Sequence, residues 1–227
     1  MSAPRGKLVV MSGPSGSGKT TIKERLRRHP SVKVAVTVTT REPRVGERPD
    51  VDYHFVSRET FLAMKAAGLF VETNDVFGNG HFYGSLRREL EDALADPDCV
   101  YVMEVDVTGA ANLRKAGFDG TFLFIAPPSM VVLERRLRER NTDAEHAIER
   151  RLARASQEME ASKAAGSTIV VNEAVDATVA QIFTLLGLLE PAAGTAHPAP
   201  GTLHATPVPT PPHTPSAPPS QPRSSSI

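Results

Sequence analysis

The sequence predicts an α/β protein built on a parallel β-sheet with helices on both faces. Three observations predict it. Short, continuously apolar runs (KLVVMS, CVYVMEVD, TFLFIA) recur between segments of helical period. Strands that read apolar throughout are buried on both faces, as in a parallel sheet covered by helices. Three glycines, Gly13, Gly16 and Gly18, stand where the first strand should run into the first helix. One of these runs, CVYVMEVD, ends in acids, Glu104 and Asp106, at the carboxyl end of its strand, where parallel sheets gather their sites.

Each element has its own signal. KLVVMS is a short buried strand, and GKTTIKERLRRH a helix stopped by Pro30. VKVAVTVTT alternates and reads as one strand. RETFLAMKAA is a helix with Ser57 as N-cap and Gly68 at its end. LFVETNDV is strand-like, and LRRELEDALA is a helix following Ser85. CVYVMEVD is a buried strand, GAANLRKA a short helix before Gly117, TFLFIA a strand and SMVVLERRLRER a helix. TDAEHAIERRLARASQEME opens with a capping box, Thr142 to Glu145. TIVVN is a strand and VDATVAQIFTLLGLL a closing helix, with no internal repeat along the way.

The 227 residues suit one large domain with a proper core. Lys plus Arg and Asp plus Glu number 26 each, so no global positive field favours nucleic acid or an anionic membrane. Neither is expected as a partner. Cys99 is the single cysteine and sits in an apolar run, so it reads as a buried strand thiol in a reducing compartment. No run reaches the roughly 18 apolar residues of a spanning helix. The apolar stretch Leu8 to Met11 is too short for a signal peptide, and the expected location is cytoplasmic. From Pro191 to Ile227 the chain has 11 prolines, no acid and one basic residue, Arg223, and is expected to be a disordered tail. PVPTPPHTP could be read by a polyproline-binding partner, though an inert tail is the simpler reading. His197, His204 and His213 are too widely spaced to suggest a metal site. Nothing in the sequence signals an oligomeric state.

Residues 13–20, GPSGSGKT, match G-x-x-x-x-G-K-[ST] between a buried strand and a helix. The glycines let backbone N–H groups approach phosphate oxygens without a Cβ in the way, and the helix N-terminus adds partial positive charge. Gly13, Pro14, Ser15, Gly16, Ser17 and Gly18 would form this cradle. Lys19 can reach the terminal phosphates and Thr20 can offer a hydroxyl to Mg²⁺. The sheet is therefore expected to be of the P-loop NTPase type. GTPases, motors and small-molecule kinases share this loop, so later residues must decide the reaction.

Arg41 and Arg44 flank Pro43, and Tyr53 follows. Two guanidinium groups on a stiff loop suit a phosphate, although two arginines alone read as a solvated basic loop. Glu72, Tyr83 and Ser85 come next. By themselves Ser85 could be only a helix cap, Glu72 only a surface acid, and Glu104 only a solvated strand-end acid.

LVVMSGPSGSGKTT, TTREPRVGE, DYHFVS, LFVE, FYGS, MEVDVTGA and RNTDAEHAIERRL occur in this order at suitable spacing. Together they resemble guanylate kinase along nearly all of residues 7–189. The resemblance implies a kinase-like domain over residues 1–190: a core of 5–36, 99–137 and 165–190, a GMP-binding region of 37–98 and an arginine-bearing helical lid of 138–164. The tail, 191–227, lies outside it. It implies ATP, with Mg²⁺, on the P-loop as phosphoryl donor, and GMP opposite. Arg41, Arg44, Tyr53 and Tyr83 would hold the GMP phosphate, and Thr37, Glu72, Ser85 and Asp106 would face guanine. The chemistry fits, because a carboxylate can accept from guanine N1–H and N2–H₂ while a hydroxyl donates to O6. Adenine would leave buried groups unpaired, a mismatch worth roughly 10⁴ in discrimination. Asp106 could instead steady water on Mg²⁺, and the sequence does not separate the two roles.

In the lid, the resemblance singles out Arg140 and Arg151 as reaching the transferred phosphate, with Arg138 behind them. Arg135, Arg136, Arg150 and Arg154 read as a solvated helix face. Asn172 falls near the family's adenine-side contacts. The implied reaction, ATP + GMP ⇌ ADP + GDP, belongs to purine nucleotide metabolism and proceeds by in-line transfer, with Lys19, Arg44, Arg140 and Arg151 neutralising charge. A relative acting on a sugar phosphate would not need Glu72, Ser85 and Asp106. A guanylate-kinase-like interaction module would not need the GKT loop and the lid arginines. Some positions depart from the pattern. FGNGHFYG is longer than the usual GNYYG and brings in Gly80 and His81 at the pocket rim. RNT replaces RGT, and Asn tolerates the left-handed backbone. DVTG replaces DVQG, with Thr108 expected as a helix cap. Thr37 stands for a common serine and keeps its hydroxyl.

Overall fold

A computed structural model describes residues 6–75, 80–139 and 145–189. In chain order the elements are β1 (Lys7–Ser12), α1 (Lys19–Leu26), β2 (Val32–Val34), β3 (Thr37–Thr39), β4 (Tyr53–Phe55), α2 (Arg58–Ala66), β5 (Phe70–Asp75) and β6 (Phe82–Leu86). There follow α3 (Arg87–Leu94), β7 (Val100–Glu104), α4 (Val107–Lys115), β8 (Thr121–Ala126), α5 (Met130–Glu139), α6 (Glu145–Ala164), β9 (Thr168–Val171) and α7 (Val175–Leu186).

Five strands form a wholly parallel sheet in the order β2-β7-β1-β8-β9. Side chains of β1 alternate between its faces. Val9 and Met11 join Ile22 and Leu26 of α1 and Ile182 and Phe183 of α7 in one core cluster. Leu8 and Val10 join Leu90 of α3 and Leu113 of α4 in the other. Both faces are dry, which is why these strands carry no polar alternation. Cys99 sits in the second cluster, buried as its surroundings in the sequence suggested.

A second, mixed sheet has the order β4-β3-β6-β5, with β3 and β4 parallel and β6 antiparallel to both β3 and β5. Its own small core holds Val38, Phe61, Met64, Phe70 and Leu86, with Phe61 stacked 4.7 Å from Phe70. Helices α5 and α6 pack against each other through Leu133, Leu137, Ile148 and Ala155.

Several expectations change. VKVAVTVTT is two strands in two sheets: Val32–Val34 pairs with β7, and Thr37–Thr39 begins the second sheet. The last link to the first sheet is Ala35 N–H to Val102 O, 2.9 Å. Period-2 alternation runs unbroken through the crossing, so the pattern could not show it. YHF and FYGSL are strands that no alternation announced. Helix α1 stops at Leu26, ahead of Pro30. Ser57 does cap α2, accepting from Thr60 N–H at 3.1 Å. Thr108 is not a cap: Asp106 is, its Oδ1 accepting from Gly109 N–H at 2.8 Å. Thr142, Arg140 and the segment 191–227 lie outside the described residues. Among the described residues no helix is long and apolar enough to cross a membrane.

Candidate active site

The loop between β1 and α1 is built on positive backbone angles: φ is 144° at Gly13, 92° at Gly16 and 94° at Gly18. Side chains rarely adopt these values. The protein itself also leaves no room. A Cβ would lie 2.4 Å from Ile125 O at Gly13, 3.0 Å from a Leu133 methyl at Gly16 and 2.3 Å from Asn172 Nδ2 at Gly18. The glycines thus admit close packing by β8, α5 and the end of β9 behind the loop. Lys19 Nζ donates back to the carbonyls of Gly13 (2.7 Å) and Pro14 (2.9 Å). Arg151 donates to Ser15 Oγ at 3.1 Å, which brings α6 over the loop.

Asn172 stands behind this loop. It is buried, donates to Ser17 O at 2.7 Å and accepts from Thr178 Oγ1 at 3.1 Å. It fastens the cradle and does not line the cavity in front. Ser17 is buried too, its N–H donating to Pro14 O.

A cavity of about 270 Å³ joins the loop to the second sheet. Lys19, Thr20 and Arg151 line one side; Thr37, Arg44, Tyr53, Glu72, Tyr83 and Asp106 line the other. Glu72, in the cavity wall, pairs with Ser85 across β5 and β6 in a register set by an irregularity between Phe70 and Glu72, and Ser85 itself is not part of the lining. Ser85 Oγ donates to Glu72 Oε1 at 2.7 Å. Glu72 is 8% exposed, so it is no surface acid, and Ser85 lies within a strand and caps no helix. Burial, and then the charge of Asp106, pushes the Glu72 carboxyl up to about 7, against the Ser85 hydrogen bond.

Both oxygens of Asp106 are engaged. Oδ1 caps α4, while Oδ2 accepts from the Asn74 amide and from Arg154 at 3.3 Å. Arg154 Nε also meets Glu158 at 2.7 Å. Arg154 was expected on a solvated face; instead it reaches into the cavity from α6. Asn74 was missed, although its place two residues after Glu72 on one strand puts both on the same face. Arg136, also expected in solvent, donates to Asn172 O at 3.1 Å. Arg138 is exposed, is tied to Glu134 and Glu145, and lies off the cavity.

In the cavity wall near Arg44 the rings of Tyr53 and Tyr83 meet edge to face, 6.3 Å apart. Arg41 grips Glu47 with two bonds of 2.9 and 3.0 Å and lies 5.2 Å from the Tyr53 ring centre, beside the cavity rather than on it. Glu47, not anticipated, also accepts from Arg44 N–H at 2.8 Å. Burial opposes its charge, but these bonds hold its carboxyl below the ordinary range. Between the two sides, Lys23 Nζ lies 2.9 Å from Glu104 Oε2. Glu104 is therefore a paired acid in the cavity wall and not a solvated strand end. Despite burial, Lys23 and then Lys19 hold Glu104 below its usual range.

A phosphate cradle at the carboxyl ends of parallel strands, sharing one cavity with a buried hydrogen-bonding pocket, defines a P-loop phosphotransferase with a second, polar substrate. The comparisons with known proteins narrow the class. Residues 5–187 match the family model "Guanylate kinase". A guanylate kinase of Synechococcus sp. (strain CC9902) is 42% identical over 190 residues, 83% of this chain and 100% of that one. One of Sus scrofa is 41% identical over 180 residues, covering 78% and 88%. The crystal structure of guanylate kinase from Anaplasma phagocytophilum superposes with a TM-score of 0.63 at 31% identity, covering 81% of this chain and 86% of that one. The chain belongs to the guanylate kinase family. It is an ATP-dependent phosphotransferase that converts GMP to GDP.

Proposed function

We propose that GMP lies across the cavity with guanine against Glu72 and Ser85 and its phosphate among Arg44, Tyr53 and Tyr83. ATP lies on the loop from Gly13 to Thr20. The observation that carries this reading is the buried Glu72 carboxyl, held by Ser85 and lining the same cavity as the loop. Ionised Glu72 accepts from guanine N1–H and N2–H₂, Ser85 and Thr37 supply hydroxyls, and Asp106, fixed by Asn74 and Arg154, completes the wall. Arg41 acts on the phosphate through Tyr53 and Glu47. Asn172 shapes the loop from behind.

The acceptor phosphate oxygen is already anionic, so transfer to it needs alignment and charge neutralisation and no general base. Lys19 leaves the carbonyls of Gly13 and Pro14 for the donor phosphates. Arg44 and Arg151 face the same cavity from opposite sides and, with Arg140, neutralise the group in flight. We assign residues 37–98 to acceptor binding and 138–164 to the lid, whose α6 brings Arg151 and Arg154 over the site and excludes water.

The residues also suit Mg²⁺. The Thr20 hydroxyl and the Glu104 carboxylate are hard oxygen donors in the cavity wall. Among the described residues no cluster of three acids or histidines could cage an ion. That is the pattern of a cation held mainly by water and phosphates. Thr20 would hold it directly and Glu104 through water; Asp106, with both oxygens engaged, belongs to the base pocket. Bound there, the ion would supply charge neutralisation on the donor phosphates. We place the enzyme in the cytoplasm, and the balanced charge of the chain supports substrates that are neither membrane nor nucleic acid.

The test is ADP formation from Mg-ATP with GMP, with AMP or with no acceptor. Turnover with GMP alone is expected. Equal turnover with AMP would remove the guanine reading.

A further inference from the structure

Lys23 stands one helical turn beyond Lys19 on α1, yet its side chain is only 10% exposed. It lines the cavity with Glu104 and Tyr53. An ammonium is costly to bury, and the Glu104 carboxylate 2.9 Å away is its counter-charge. Glu104 and Lys19 line the same cavity, one at the end of β7 and the other at the start of α1. Lys19 is likewise held by neutral carbonyls, a weaker claim than phosphate has on it.

Lys23 is therefore a cation held in reserve. Arg41 is committed to Glu47 beside the cavity, so the acceptor phosphate faces Arg44 and two phenols on its own side. We infer that Lys23 is a further catalytic residue, leaving Glu104 to donate to the acceptor phosphate and to hold it in line with the donor. This rests on the placement of the GMP phosphate beside Tyr53. No bond is made or broken by Lys23: it exchanges one anionic partner for another. Tyr53 and Lys23 line the same cavity.

The experiment measures binding of GMP and of guanosine, without ATP, and steady-state turnover. The proteins are wild type, Lys23→Met, Lys23→Arg, Glu104→Gln and the double variant Lys23→Met/Glu104→Gln. Lys23→Met should weaken GMP binding and lower kcat/KM for GMP by roughly 10-fold or more, with guanosine binding and KM for ATP held within about 2-fold. Lys23→Arg should recover much of the loss. The double variant, which buries no unpaired charge, should stay as impaired relative to Glu104→Gln as Lys23→Met is relative to wild type. If it matches Glu104→Gln instead, Lys23 serves only to neutralise Glu104 and the inference fails. It fails also if GMP and guanosine weaken equally, or if Lys23→Met changes neither. A wild type that distinguishes guanosine no better than adenosine would overturn the guanine reading and leave the lysine result to stand on GMP alone.

Discussion

Replacing Glu72 with glutamine should stabilise the nucleotide-free protein at alkaline pH. The carboxyl is raised from an ordinary 4.5 to about 7, chiefly by burial and then by Asp106. A folded-state pKa above the unfolded one means that the folded protein holds a proton which the unfolded chain has lost. That proton's stabilisation is fully present below about pH 4.5 and disappears as pH rises through 7. At 1.36 kcal/mol per unit, a displacement of roughly 2.5 units is worth about 3 kcal/mol. Glutamine never ionises, and its Oε1 can still accept from Ser85. The variant should therefore match wild type near pH 4 and exceed it by up to about 3 kcal/mol at pH 8.5, or roughly 6–12 °C in Tm. Urea denaturation of both proteins at intervals from about pH 4 to 8.5 measures the difference. Other titrating groups, His54 among them, are common to both proteins and cancel. A difference that stays constant with pH, or a variant less stable at pH 8.5, would refute a carboxylate buried at a cost in the acceptor pocket.

Asn172→Ala should cost about 1–3 kcal/mol and weaken ATP binding, because Ser17 O loses its buried donor; urea denaturation and ATP titration measure the two effects. Arg154→Ala should raise KM for GMP about 10-fold and leave KM for ATP unchanged, since it frees Asp106 in the base pocket, and Arg154→Lys should recover part of the loss; steady-state kinetics decides. His54 is buried between Glu89 (3.3 Å) and Asp50 (2.7 Å); burial lowers its pKa, but these partners raise it above its ordinary value. Its contribution to stability is full below about pH 6.5 and is lost as pH rises through the higher folded value, so His54→Gln should flatten that part of the wild-type pH profile in denaturation experiments. Gly18→Ala should abolish ATP binding and turnover, because its Cβ would lie 2.3 Å from Asn172 Nδ2 on a backbone at φ 94°.

The large sheet was legible because two dry faces leave an unmistakable run such as LVVM, and the loop because its glycines and lysine are fixed in spacing. The second sheet was half hidden. Its strands β3 and β4 are three residues each, and VKVAVTVTT keeps its alternation while passing from one sheet to the other. Side-chain partnerships formed by distant elements were hidden as well. Arg154 on α6 meets Asp106 after β7, 48 residues away, and Lys23 meets Glu104 across the cleft, so helical periodicity showed only arginines and lysines on a polar face. Asn172 shows the reverse case: its place in the chain suggested a ligand contact, and the fold adds what the chain could not show, an amide held by Ser17 and Thr178 behind the loop. Asn74 and Glu47 carried a usable signal, one sharing a strand face with Glu72 and the other following Arg44 by three residues in a tight loop.

The central claim is that the Glu72–Ser85 pair reads the acceptor base in the cavity it shares with the phosphate loop. The most direct test is the ratio of kcat/KM for GMP to that for AMP, in wild type and in Glu72→Gln. The account predicts a large ratio in wild type, falling by roughly 10²-fold or more in the variant while KM for ATP holds. An unchanged ratio in the variant would mean that guanine is read elsewhere, and the account of this pocket would be wrong.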